Sequence, residues 1–178
     1  MFIELLRRRR SIRRFQQKPV EQDKLDVLLE AALRAPSSRG LMPWELVVVQ
    51  DPDMLGRLAL AKPHGASFLN KAPLAIVVCA EPTRCDVWIE DCSLVALLLH
   101  LSATDLGLGS CWVQIRLREH ASGRLAEEYV SKLLGLQEGM VVEAIMAIGY
   151  PAEILVGHQR SSLPDDKVNF EKYGQKKQ

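Results

Sequence analysis

The stretch DVWIEDCSLVALLLHLSATDLGLGSCWVQIR, residues 86–116, decides the fold. Its first two thirds, residues 86–106, set Val87, Trp88, Leu94, Val95, Leu97, Leu98, Leu99 and Leu101 almost all round a helical wheel. A helix without a continuous polar face is covered on every side, in the middle of a fold or at a subunit interface. Gly107 and Gly109 end it, and residues 110–113 read as a short strand. Glu90 and Asp91 stand on the same helix, and carboxylates there need partners if they are buried.

Outward from this helix the chain alternates helices with apolar strands. Residues 20–35 space Leu25, Leu28, Leu29, Ala32 and Leu33 as one face of an amphipathic helix that Pro36 stops. Residues 45–50 predict a buried strand closed by Asp51-Pro52, and residues 74–80 a second. A surface helix is expected over 118–134 and a fourth strand over 141–149. The pattern predicts an α+β or α/β sandwich, a sheet covered by helices on both faces. The whole chain, 1–178, reads as one domain, with a polar tail from about 152 to 178 that lies against something or moves.

Charge narrows the partners. Twenty-three basic and 22 acidic side chains leave a formal net charge of +1, which gives no global case for nucleic acid or an anionic membrane. The most apolar run, 94–101, falls far short of the roughly 20 residues that span a bilayer. Cys79, Cys85, Cys92 and Cys111 are scattered among apolar neighbours without zinc-site spacing, and they read as reduced thiols of a cytoplasmic protein. Cys85 and Cys92 are expected to share a face of the central helix.

Three segments carry chemistry. Residues 7–15, RRRRSIRRF, cluster guanidiniums around one hydroxyl, which suits a phosphate. A solvated basic face, or a patch that docks nucleic acid or acidic lipid, accounts for the same residues. Residues 35–44, APSSRGLMPW, form a loop whose hydroxyls and Trp44 can flank a planar polar ligand, or simply join a helix to a strand. Residues 107–116, GLGSCWVQIR, lack the full dinucleotide or P-loop pattern. His64, His100, His120 and His158 are dispersed and read as surface or packing residues, so no catalytic side chain is nominated.

In this order the three segments resemble the nitroreductase family. Arg9-Arg10-Ser11-Ile12-Arg13 matches its amino-terminal Arg-x-Ser-x-Arg/Lys element; Pro36, Ser37, Ser38, Pro43 and Trp44 match its Pro-Ser-Ser…Pro-Trp loop. Residues 107–112 match its Gly-Leu-Gly-Ser-Cys-Trp stretch, and Ile148-Gly149-Tyr150-Pro151 its closing strand. The resemblance covers residues 5–173. It implies an α+β three-layer sandwich with a mixed sheet, a homodimer, and FMN held between the subunits.

What the resemblance implies for the site is specific. Arg9, Ser11 and Arg13 lie on the phosphate and ribityl side of FMN, with Arg10 supporting and Arg160 as a late phosphate partner. Pro36, Ser37 and Ser38 reach the flavin of the other subunit, with Met42 an apolar neighbour. Val113, Gln114, Ile115 and Arg116 lie along the isoalloxazine, with a backbone N–H toward N5. The implied reaction is ping-pong electron transfer from NADH or NADPH through N5 to a small electrophile, such as a nitroaromatic or quinone. The same resemblance covers a flavin-binding redox sensor or a reductive dehalogenase-like enzyme. Gly40 and Met42 replace the family's usual Asn and Gln, and the short link between Ala80 and Asp86 leaves out a covering excursion, so an open flavin face is expected.

Overall fold

The computed structural model describes residues 1–176. The chain runs α1 (Phe2–Arg8), α2 (Gln22–Leu33), β1 (Trp44–Val49), α3 (Pro52–Leu58), β2 (Leu74–Ala80), α4 (Trp88–Asp105), β3 (Gly109–Gln114), α5 (Ala126–Leu134) and β4 (Val141–Gly149). The strands form one sheet in the order β1-β2-β4-β3, each neighbouring pair antiparallel. A parallel element comes from the amino-terminal segment, where Ser11 bridges to Ser110.

β2 is buried along its whole length, so its alternating side chains feed two cores. Leu74, Ile76 and Val78 face α2 and α4, beside Leu25, Leu28, Leu99, Met146 and Ile148. Ala75, Val77 and Cys79 face the opposite layer, beside Ile145 of β4 and Leu55, Leu58, Leu69 and Val130 from α3, α5 and the connections around them. This is the expected three-layer α+β arrangement. No helix among the described residues is long and apolar enough to cross a membrane.

Several boundaries differ from the sequence reading, each for a local reason. β1 is an edge strand, with Glu45 and Val48 exposed, rather than a buried one. The helix expected over 118–134 begins only at Ala126. Before it, His120 accepts from the Ser122 N–H through Nδ1 and from the Gly123 N–H through its carbonyl, a turn completed by Gly123 at φ +78°. Cys85 precedes α4 instead of sharing a helical face with Cys92. α1 buries none of its seven residues, which is why no apolar period announces it.

Glycines at two strand positions let the amino-terminal segment lie flat on the sheet. A Cβ on Gly109 would stand 2.7 Å from the Ile12 Cβ, and one on Gly149 2.5 Å from Pro73 Cδ and 3.2 Å from the Phe15 ring. Residues 9–16, here called the arm, then follow the sheet edge. The Ile12 N–H donates to the Ser110 carbonyl (2.9 Å), the Gln16 N–H to that of Tyr150 (2.9 Å), and Ala152 donates back to Arg14 (2.8 Å).

Candidate functional site

The arm presents the phosphate-type donors. Ser11 pairs with β3 at Ser110, and the Arg13 and Arg14 N–H groups donate to the Glu153 carboxylate at 2.8 and 3.2 Å. Among the described residues this carboxylate binds arm backbone only. The Arg13 guanidinium has no carboxylate within ion-pair distance among the described residues, and lies 6.0 Å from the Phe68 ring centroid. Such an arginine keeps its five donors for a ligand.

Arg9 is held differently. Its Nη1 donates to Nε2 of His100 at 2.8 Å, and Nδ1 of His100 meets the Ser110 hydroxyl. Burial, reinforced by the Arg9 charge, pushes the imidazole down to about 4. His100 is therefore neutral at pH 7, a role that its place among leucines did not announce. Arg10 turns away and donates to the Val156 carbonyl. Arg160 pairs with Asp165 at 2.7 Å and shares with Arg9 the lining of a cavity of about 800 Å³ between α1 and the tail. Lys62, also missed in the sequence, is half-buried, and burial together with the Arg118 charge lowers its pKa.

The Pro36–Pro43 loop hangs from the other end of α4. Asp91, 3% exposed, accepts from the Ser38 N–H at 2.9 Å and from the Cys85 thiol at 3.4 Å. The partners that a buried carboxylate requires are thus the loop backbone and a thiol. Within the loop the Ser37 hydroxyl accepts from the Met42 N–H (3.1 Å), Arg39 pairs with Asp86, and Arg39, Gly40 and Met42 all take positive φ. Met42 is 55% exposed, so its side chain is open to a ligand or another chain.

β3 connects the two ends. Val113 and Ile115 point into the core, while the Trp112 indole donates to Gln114 and the Gln114 amide to the Arg116 carbonyl. The Ile115 and Arg116 N–H groups both approach the Glu143 carbonyl, at 3.3 and 3.1 Å, where the β2–β4 register skips Glu143 as a bulge. Arg116 lies over the Trp88 ring at 5.6 Å, with Nε 3.9 Å from Glu143 Oε2. That oxygen is buried without a hydrogen bond among the described residues, and burial raises the Glu143 pKa.

The single chain therefore brings Arg9, Ser11 and Arg13 together at one end of β3 and Arg116 to the other. The loop is anchored at Asp91, nine residues before His100, or about 14 Å along α4. Burial pushes the Cys79 and Cys92 thiols up to about 11 and about 12, so neither is a thiolate at neutral pH.

The profile of the nitroreductase family matches residues 6–64 and 54–150. An FMN-dependent nitroreductase of Clostridium difficile is 43% identical and superposes with a TM-score of 0.94 over 96% of this chain and 99% of that one. An Archaeoglobus fulgidus protein provisionally named NADH dehydrogenase/NAD(P)H nitroreductase is 35% identical over 155 residues, 85% of this chain and 86% of its own. Iodotyrosine deiodinase 1 of Rattus norvegicus is 49% identical over 53 residues, which are 30% of this chain and 19% of that protein.

Proposed function

Because this chain belongs to the nitroreductase family, we propose that it is an FMN-dependent oxidoreductase that passes electrons from NADH or NADPH to a small electrophile, such as a nitroaromatic or quinone, in a ping-pong cycle. FMN when bound supplies the two-electron chemistry. The residues fit such a group. Arg9, Ser11 and Arg13 form a donor set for its phosphate, carried on a segment bonded to the sheet. The observation that carries the reading is the Arg13 guanidinium, which the described residues leave without an acidic partner beside Ser11 and Arg9.

The protein binds and orients; it supplies no acid–base pair. The bulge at Glu143 fixes the backbone of Ile115 and Arg116, the stretch assigned to the planar end of the cofactor. A second copy is proposed to complete the site, its loop over residues 36–42 reaching the cofactor. α1 leaves Phe2, Ile3 and Leu6 exposed, and α4 exposes Leu94 and Leu97 one turn apart. Apolar side chains in that number fit a permanent interface. Light scattering of the flavin-loaded protein should give a dimeric mass, and a monomer at micromolar concentration would count against it.

The visible spectrum of freshly purified protein, followed by NADH and NADPH oxidation with a panel of acceptors, tests the activity. Absence of FMN binding, or oxidation indifferent to added FMN, would overturn it. The 53 residues shared with iodotyrosine deiodinase 1 favour a second reading, a halogenated aromatic acceptor. Halide release under the same conditions distinguishes the two.

A further inference from the structure

We propose that His100 is a positioning residue that aims the Arg9 guanidinium at the phosphate of FMN, an inference that rests on the phosphate reading of the arm. An arginine is always a cation and only donates, so Nε2 of His100 must be the acceptor in the 2.8 Å contact. The ring proton then sits on Nδ1 and donates to the Ser110 hydroxyl. Ser110, 1% exposed, is also the residue whose carbonyl accepts the Ile12 N–H and whose backbone bridges to Ser11. The contacts close a circuit. The arm reaches Ser110 through its backbone, Ser110 reaches His100, and His100 returns to the side chain of Arg9 on the same arm.

The choice of a neutral acceptor has an electrostatic consequence. A carboxylate in place of His100 would orient Arg9 equally well but cancel its charge and repel the phosphate. Imidazole orients the guanidinium and leaves the full positive charge for the ligand, and burial holds it in that neutral form at physiological pH. One nitrogen of Arg9 is engaged, and among the described residues no other partner holds the remaining donors. Ordering this flexible side chain before the ligand arrives lowers the entropic cost of binding. The contact joins residues 91 apart in the chain, and no local motif marks it.

The test uses deflavinated full-length protein, titrated with FMN and with riboflavin by flavin fluorescence, for wild type, Arg9→Ala, His100→Leu and His100→Gln. Wild type should prefer FMN, and Arg9→Ala should lose most of that preference. His100→Leu should weaken FMN about five- to tenfold while leaving riboflavin unchanged, the scale of one lost charge-assisted hydrogen bond. His100→Gln, whose amide oxygen can accept from Arg9, should recover most of the loss. Nitrogen-15 spectra near pH 7 should show neutral His100 with its proton on Nδ1. Intact FMN preference in His100→Leu, equal weakening of both ligands, or a proton on Nε2 overturns the proposal even if His100→Leu is poorly folded, because wild-type spectra give the last result. If wild type shows no FMN preference, or Arg9→Ala keeps it, the phosphate reading of the arm falls too.

Discussion

The two ends of α4 hold the two candidate cofactor segments by different means. At the carboxy-terminal end the arm is fixed mainly by backbone, through a bridge to Ser110, hydrogen bonds to Ser110 and Tyr150, and two glycines, Gly109 and Gly149, that leave room for Ile12 and Phe15. Next to it, among the described residues, the only titratable partner of Arg9 is a neutral imidazole. At the amino-terminal end the loop is fixed mainly by side chains, the buried Asp91 carboxylate on the Ser38 N–H and the exposed Arg39–Asp86 ion pair, and its neighbourhood includes a second buried carboxylate, Glu143, whose Oε2 accepts no hydrogen bond from the described residues. Backbone pairing resists most side-chain changes, whereas a segment held mainly by charged side chains depends on those charges. The first arrangement suits a rigid anchor for phosphate, the second a loop that adjusts when another surface meets it.

The sharpest way to break this contrast is to spoil the seat of the arm. Gly109→Ala puts a methyl group 2.7 to 2.8 Å from three carbons of Ile12, so the arm must lift or the strand must shift. The expected loss is about 3 kcal/mol, the upper part of the range for overpacking a close contact. Chemical denaturation measures it, and Gly109→Ala combined with Ile12→Ala should lose less than the sum of the two single changes, because removing the Ile12 γ carbons relieves two of the three close contacts. Strict additivity of the two would show that the arm is not seated on Gly109.

Next in size is a change that leaves the seat intact and removes only charge. Arg13→Ala should weaken FMN by roughly ten- to a hundredfold, about 1.5–3 kcal/mol, with riboflavin affinity and thermal stability unchanged. Equal weakening of both flavins would make Arg13 a structural residue and erase the distinction between anchor and frame. At the opposite end, Asp91→Leu strips the Ser38 N–H of its acceptor. A loss of about 1–2 kcal/mol is expected, with faster amide exchange confined to residues 36–42 while the arm keeps its protection. Acceleration spread over both segments would mean that the two ends are one cooperative unit.

Much of this frame is legible in the sequence, and the reasons for success and failure are physical. β2 and β4 match their predicted limits at 74–80 and 141–149 because strands buried on both faces are written as near-continuous apolar runs, interrupted in β4 by Glu143. The start of α5 at Ala126 is not legible in the sequence, because Leu117 and Leu125 continue an apolar spacing that a His-Ala-Ser-Gly turn overrides. The glycines of residues 107–112 read as a turn, yet Gly109 lies within β3 and serves the arm that crosses it. Arg9, Ser11 and Arg13 could be nominated from local motif alone. His100 could not, because its meaning depends on a partner 91 residues away.

The smallest expected effect concerns Glu143, and its sign separates the two ends of α4 most directly. The carboxyl is 4% exposed, and among the described residues Oε2 accepts no hydrogen bond and has Nε of Arg116 as its cationic neighbour, 3.9 Å away. Burial disfavours the charged form more than Arg116 restores it, so the folded-state pKa lies above the ordinary value of 4.5. The folded protein then holds its proton more tightly than the unfolded chain does. By linkage the resulting stability is fully present below 4.5 and is lost as pH rises through the folded-state value. His100 behaves in the opposite sense over the same acidic range, since its pKa falls to about 4 in the fold and its burial favours the folded state only once the ring is neutral. Glu143→Gln keeps the shape and removes the titration. The stability of wild type relative to Glu143→Gln should decline as pH rises from 4.5 toward neutrality, read from denaturation midpoints in matched buffers. A difference that is flat with pH, or that grows in favour of wild type, would mean that Arg116 satisfies this carboxylate and that the loop end is as well compensated as the arm end.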